Sequence, residues 1–191
     1  ASGQKKQFFK KIWAFDQHIF PNSTVKEIYN FVHDVDAVSV QVIHYYHEGK
    51  LIGQNVLPII KLFLDGKPIF VLSSRAGILP DYRSGNRTLN SAIRVVLNHQ
   101  IRHLTIPLWF VTTVIQPKVY TLFASRSQRF FPRAGRQIPQ DYLQVLNIFQ
   151  QRKHEVQKRR EDSFVHPIER TKISLNQLRC LRNKANKHIN Y

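Results

Sequence analysis

Ala76-Gly77-Ile78-Leu79-Pro80-Asp81-Tyr82-Arg83-Ser84-Gly85-Asn86-Arg87-Thr88-Leu89 is where the periodicity of the chain changes. Before it, residues 68–79 read as a strand. After it, Leu89, Ala92, Ile93, Val96 and Leu97 fall at i, i+3, i+4, i+7 and i+8, one face of a helix. The next apolar run, 108–115, reads as a strand again. A strand, a helix and a strand in that order form a crossover, so the runs at 68–79 and 108–115 are expected to be parallel. The connection between them is rich in small residues. A strand that feeds a helix start through such a loop presents unpaired backbone N–H groups, which together with the helix dipole favour a phosphate. Arg83 and Arg87 flank the loop, and arginine grips phosphate bidentately. The same residues also suit a plain turn at Ser84-Gly85-Asn86, a cap at Thr88 and a solvated basic surface.

Working upstream, Val38, Val40 and Val42 alternate with Ser39 and Gln41. His47-Glu48-Gly49-Lys50 and Asp65-Gly66-Lys67 read as hairpin turns, so a three-strand antiparallel meander is expected. Pro58 inside the second strand predicts a bulge or an edge. Thr24 and Glu27 have capping-box spacing ahead of Ile28, Phe31 and Val32, which share a helical face. The mixed run 8–19 reads as a first strand. Downstream, Pro117 opens a helix with Val119, Tyr120, Leu122 and Phe123. A further helix carries Tyr142, Val145, Leu146 and Phe149, with a polar continuation over 152–161. A last amphipathic piece holds Leu175, Leu178 and Leu181.

The stretch 76–89 resembles the acyl-CoA-binding motif of the GNAT superfamily of N-acetyltransferases. In that family a strand ends in an apolar–x–Pro–x–Tyr–Arg run, and a Gly-rich loop opens a helix. The element order is similar too, as is Gln116-Pro117-Lys118-Val119-Tyr120, where the family has a Tyr-bearing helix after its fifth strand. The resemblance covers roughly residues 12–132. It implies a mixed α/β domain over 1–150: a mostly antiparallel central sheet with a parallel, splayed strand pair and helices on both faces. It also implies acetyl-CoA or another acyl-CoA as co-substrate, held by Ala76, Gly77, Ile78, Arg83, Ser84, Gly85, Asn86, Arg87 and Thr88. The chemistry implied is transfer of an acyl group to an amine, on a small molecule or a protein, with Tyr120 returning a proton to the leaving thiolate. The chain departs from the family pattern at Asn86 and Thr88, where small residues are usual. Asn tolerates a positive φ, and Thr88 can cap the helix.

No general base is assigned. Residues 69–80 contain no acid; His44, Tyr46, Glu48, Ser73 and Ser74 are the remaining candidates. His44 has a suitable unperturbed pKa, although a strand histidine is more often structural. His99 and His103 stand four apart but straddle the expected helix end, so no metal site is expected. No Gly-x-Ser-x-Gly elbow and no Walker loop is present.

The 191 residues suit one domain with an appendage, and 42% hydrophobic content suits a sizeable core. The formal charge of +17, from 29 Lys+Arg against 12 Asp+Glu, predicts an anionic partner. Residues 151–191 carry 11 basic and 4 acidic residues, net +7. They read as a basic helical C-terminal extension that contacts nucleic acid or an anionic surface. An acidic acyl carrier protein is a further candidate partner, and a GNAT-fold binding module without catalysis is the alternative reading. A single cysteine, Cys180, excludes an internal disulfide. With no spanning apolar segment and no legible secretory signal, a cytoplasmic location is expected.

Overall fold

The computed structural model describes residues 2–83, 85–113, 117–133, 135–152, 157–160 and 163–165. They fall into two compact units, Ala1–Thr112 and Thr113–Tyr191.

The first unit contains helices α1 (Ser2–Ile19), α2 (Val25–Val32) and α3 (Arg87–Arg102), with strands β1 (Ala37–His47), β2 (Lys50–Leu64), β3 (Lys67–Leu72), β4 (Arg75–Ile78) and β5 (Leu108–Phe110). The sheet order is β1-β2-β3-β5, with β4 also paired to β2. Strands β1 to β4 are antiparallel, and β3 and β5 run parallel with Phe70 opposite Leu108 and Leu72 opposite Phe110. This mixed α/β sheet, mostly antiparallel with one parallel pair, is the architecture the acyltransferase resemblance implies. Both hairpins turn where expected: Glu48-Gly49 and Asp65-Gly66 each have two successive positive φ angles, the backbone a two-residue turn between twisted strands requires.

Alternation along β2 sends Val56 to one face and Leu57 and Ile59 to the other. Val56 packs with Ile12 of α1 and Ile28 of α2. Leu57 and Ile59 pack with Phe70, Leu72 and, from α3, Ala92 and Val95. Helices therefore cover both faces. Each of these fully buried aliphatic side chains contributes roughly 1.5–3 kcal/mol relative to exposure. The capping box of α2 forms as the sequence predicts, with Glu27 N–H donating to Thr24 Oγ1 at 3.2 Å and Thr24 N–H to Glu27 Oε2 at 2.9 Å.

Three expectations are corrected. Residues 8–19 belong to helix α1, not to a strand. Ile12, Phe15, Asp16 and Ile19 recur at helical spacing, and the first three of them are buried. The run at 68–79 is two strands, because Ser73 and Ser74 fall out of the ladder opposite Leu57 and Pro58. Ser73 N–H donates to the Pro58 carbonyl at 3.1 Å, but proline has no N–H to return the bond. Of the strand expected over 108–115, Leu108–Phe110 forms β5 and 111–113 do not continue it, while 114 and 115 lie outside the described residues.

The second unit holds α4 (Pro117–Arg126), α5 (Gln140–Arg152) and a short antiparallel pair, β6 (Gln157–Arg160) and β7 (Ser163–Val165). Among its described residues, Ala124, Ile138, Val145 and Phe149 are the buried apolar ones. Where a polar helix was expected over 152–161, α5 ends at Arg152 and β6 follows. Leu175, Leu178 and Leu181 lie outside the described residues.

Candidate functional site

The parallel pairing of β3 and β5 stops at Leu72 and Phe110. Val111 N–H still donates to the Leu72 carbonyl at 2.9 Å, and Thr112 Oγ1 to the Ser74 carbonyl at 3.4 Å. Beyond that point β4 continues beside β2 alone. Antiparallel pairing alternates bonded and non-bonded positions. Ser73 bonds to Pro58 and Leu79 to Ile52. Counting inward from these two, Arg75 and Gly77 face β2, whereas Ala76 and Ile78 turn their N–H groups away from it. No strand among the described residues pairs that outer edge. The Ile78 carbonyl there accepts from Arg83 Nε at 2.8 Å. The arginine thus folds back over the end of β4 and stays exposed.

Gly77 also marks a close approach. By the same count its N–H belongs to the β2 ladder, and a Cβ at this position would overlap the Ile19 side chain of α1. It allows helix and strand to approach closely.

A short 3₁₀ turn, Pro80–Tyr82, leads from β4 into the loop. Tyr82 packs against the first hairpin, 5.3 Å from the His47 ring. Ser84 lies outside the described residues. The positive φ falls on Gly85, at +74°, and Asn86 has an ordinary φ of −113°. Asn86, not Thr88, is the cap residue of α3, and its side chain makes no capping bond. The first turn of α3 contains no acid. Its leading N–H groups meet no carboxylate of their own helix, and Arg87 beside them is exposed.

Polar residues that the sequence reading passed over fix this helix start from below. Asn55 on β2 is fully buried. Its Nδ2 donates to the Thr88 carbonyl at 3.2 Å, and its Oδ1 accepts from Ser74 Oγ at 2.9 Å. Tyr45 on β1 donates to Ser91 Oγ at 2.7 Å, and Ser91 donates to the Arg87 carbonyl at 2.9 Å. Burial pushes the Tyr45 phenol above its ordinary pKa, and its hydrogen bonding with Ser91 and Asn55 opposes that shift. A buried Asn in a strand facing a Ser or Thr one strand away was the available signal, since Asn is otherwise depleted from strands.

The base candidates scatter. His44 lies on the α1 side, its Nε2 3.0 Å from the Gln54 Oε1. Burial lowers its pKa, and the bond to Gln54 opposes that shift. Tyr46 accepts from Lys11 Nζ at 2.7 Å, Glu48 sits on the exposed hairpin turn, and Ser74 is committed to Asn55. Ser73 is buried. In the second unit, Tyr120 is half-buried and donates to the Pro132 carbonyl at 2.7 Å, with its ring 5.6 Å from Phe130. Burial raises its pKa.

No family model matches this chain, and no curated protein does. Among solved structures, it is similar to an aminoglycoside N-acetyltransferase, AAC(6')-Iy, in complex with CoA, at 12% identity over 71% of this chain and 90% of that one, with a TM-score of 0.46. The BH1408 protein from Bacillus halodurans shares 11% identity over 62% and 76% of the two chains, TM-score 0.42. A ribosomal-protein-alanine N-acetyltransferase from Brucella melitensis biovar Abortus 2308 shares 10% over 60% and 76%, TM-score 0.40. No helix among the described residues is long and apolar enough to cross a membrane.

Proposed function

We propose that this protein is an acyl-CoA-dependent N-acyltransferase, moving an acetyl or longer acyl group from a thioester to an amine. The observation that carries the reading is the outward-facing edge of β4 leading directly to an acid-free, side-chain-uncapped start of α3 flanked by Arg83 and Arg87. The pyrophosphate of the donor would meet the first-turn N–H groups of α3 and the two guanidiniums. Its pantetheine amides would pair with Ala76 and Ile78, completing the ladder that β5 leaves. One of those N–H groups, aimed at the thioester carbonyl, would polarise it. The amine nitrogen then bonds to the carbonyl carbon and the C–S bond breaks. The amine gives up a proton and the thiolate takes one, from Tyr120 in this reading. Orientation by the sheet supplies most of the acceleration, since no side-chain base is assigned. The setting we propose is cytoplasmic, with residues 151–191 a basic extension to the domain that adds contact with anionic partners, an acidic acyl carrier protein among them.

The test is a titration of the whole chain with acetyl-CoA and longer acyl-CoAs, followed by melting temperature. A ligand of the native state raises it by mass action. The expected result is a saturable increase that Arg83→Ala with Arg87→Ala reduces. No increase with any acyl-CoA or acyl carrier protein at saturating concentration overturns the reading. The missing acid on β4 favours a second reading, a binding module that holds the donor without turnover. Binding with no thiol release across a broad amine panel would select it.

A further inference from the structure

Helix α3 is apolar on two sides. Its inner side carries Ala92 and Val95, both buried, with Val96 packed against the same cluster. A helix lying on a sheet ordinarily needs only that one apolar side. Yet Ile93, Leu97 and Ile101 recur at every fourth residue on the side turned away from the sheet. Their exposure rises along the helix from 47% at Ile93 through 55% at Leu97 to 70% at Ile101, and Leu104, just past the helix end, is 78% exposed. Single exposed aliphatics are ordinary, whereas a row of them on one helix marks an interaction surface.

The charge around this row has one sign. Helix α3 contains three arginines, Arg87, Arg94 and Arg102, all exposed, and no acidic residue. Between Asp81 and Asp141 the chain has nine Lys or Arg and no Asp or Glu.

That sign selects among occupants. A second copy would bring its own α3 arginines against these, on a chain of +17, with no acid in either helix to pair them. The chain's own segment with Leu175, Leu178 and Leu181 lies outside the described residues; its sequence carries Arg179, Arg182, Lys184 and Lys187, again the same sign. An anionic lipid surface matches the charge, but the row is aliphatic throughout and lacks the Trp or Phe that anchor interfacial helices. A spacing of four instead builds the ridge that meshes with the grooves of another helix.

We propose that the outer face of α3 docks an amphipathic helix of an acidic partner protein. Aliphatic side chains of that helix would pack between Ile93, Leu97 and Ile101, and its flanking carboxylates would pair with Arg94 and Arg102. From Ile93 to Ile101 the ridge runs about 12 Å, at roughly 1.5 Å per helical residue. A contact of that size suits a transient partner.

The experiment titrates the full chain into a fluorescently labelled, helix-forming peptide with Leu along one face and Glu on the other, at physiological ionic strength, and follows anisotropy. The expected result is saturable binding, lost when Lys replaces Glu in the peptide. Leu97→Gln with Ile101→Gln should weaken it roughly tenfold or more, and Arg94→Gln with Arg102→Gln should weaken it too. All four side chains are exposed, so the fold should persist, as melting temperature will show. No saturable binding overturns the proposal, and so does equal binding of the Lys peptide. Binding that either pair of substitutions leaves unaltered also overturns it, since the net charge would then be acting from elsewhere. Phosphatidylglycerol vesicles, and sedimentation of the chain alone, test the other occupants. Preference for vesicles over the peptide, or self-association, abolished by Leu97→Gln with Ile101→Gln, would give the face to a membrane or a second copy and overturn the proposal.

Discussion

Arg75 on β4 holds Asp16 on α1 through two parallel hydrogen bonds, Nε to Oδ1 at 2.7 Å and Nη2 to Oδ2 at 2.8 Å. Asp16 is 2% exposed and also accepts from Ser23 Oγ at 2.9 Å. The pair fixes the first helix to the short strand whose outer edge forms the candidate site. Removing one partner takes the matching charge from a largely buried group, which is strongly destabilising. Asp16→Ala should cost roughly 3–5 kcal/mol, measured by denaturant unfolding. A loss below about 1 kcal/mol would mean that the pair behaves as an exposed one.

Gly77 reports the same junction through shape. Gly77→Ala drives a methyl into Ile19 and should destabilise by about 1–3 kcal/mol, the usual range for overpacking. Ile19→Ala in the same chain should return part of that loss, and a double-mutant cycle reads the coupling. Additive losses would place the strain elsewhere.

Tyr120→Phe tests the proton donor. The hydroxyl bonds to the Pro132 carbonyl, so stability should fall by about 0.5–1.5 kcal/mol. This is a larger effect than a hydroxyl facing only a cleft would give. If the phenol also protonates the thiolate, turnover should fall roughly 10²-fold or more with donor binding retained. Unchanged turnover per folded molecule would confine Tyr120 to its structural bond.

His44 and His99 both have pKa values held below 6.5 by burial. The unfolded chain therefore binds more protons than the folded one between 6.5 and the lower folded values. Stability should be unaffected by these groups above 6.5 and should fall as pH drops through that window. Unfolding free energy measured from pH 8 to pH 5 should show the decline, and His44→Gln should flatten part of it. A slope unchanged in His44→Gln would mean that His44 titrates alike in both states.

The fold was largely legible in the residues because its signals are local. Two Gly turns, the Thr24/Glu27 box and the switch of period at 76–89 each act over a few residues. The first helix was missed because its buried Asp16 interrupts an otherwise apolar face, and only the distant Arg75 explains that charge. The break between β3 and β4 was half legible: Pro58 announced an irregularity but not which neighbour would lose the bond. The loop at 76–89 was readable as a motif, whereas Asn55, Tyr45 and Ser91 were not. Each sits on a separate element, and their bonds exist only once the sheet and α3 have come together.

Pro58 has a consequence for the mechanics of the sheet. Its nitrogen cannot answer Ser73, so one bond of that pair is lost on the β3–β4 side only, and the pairing with β1 is spared. The register of β2 with β3 and with β4 is the same on both sides of the break. A replacement at position 58 that restores an N–H would therefore return the second bond and let β3 and β4 run on as one strand. One central position thus decides whether this arm of the sheet is continuous or jointed.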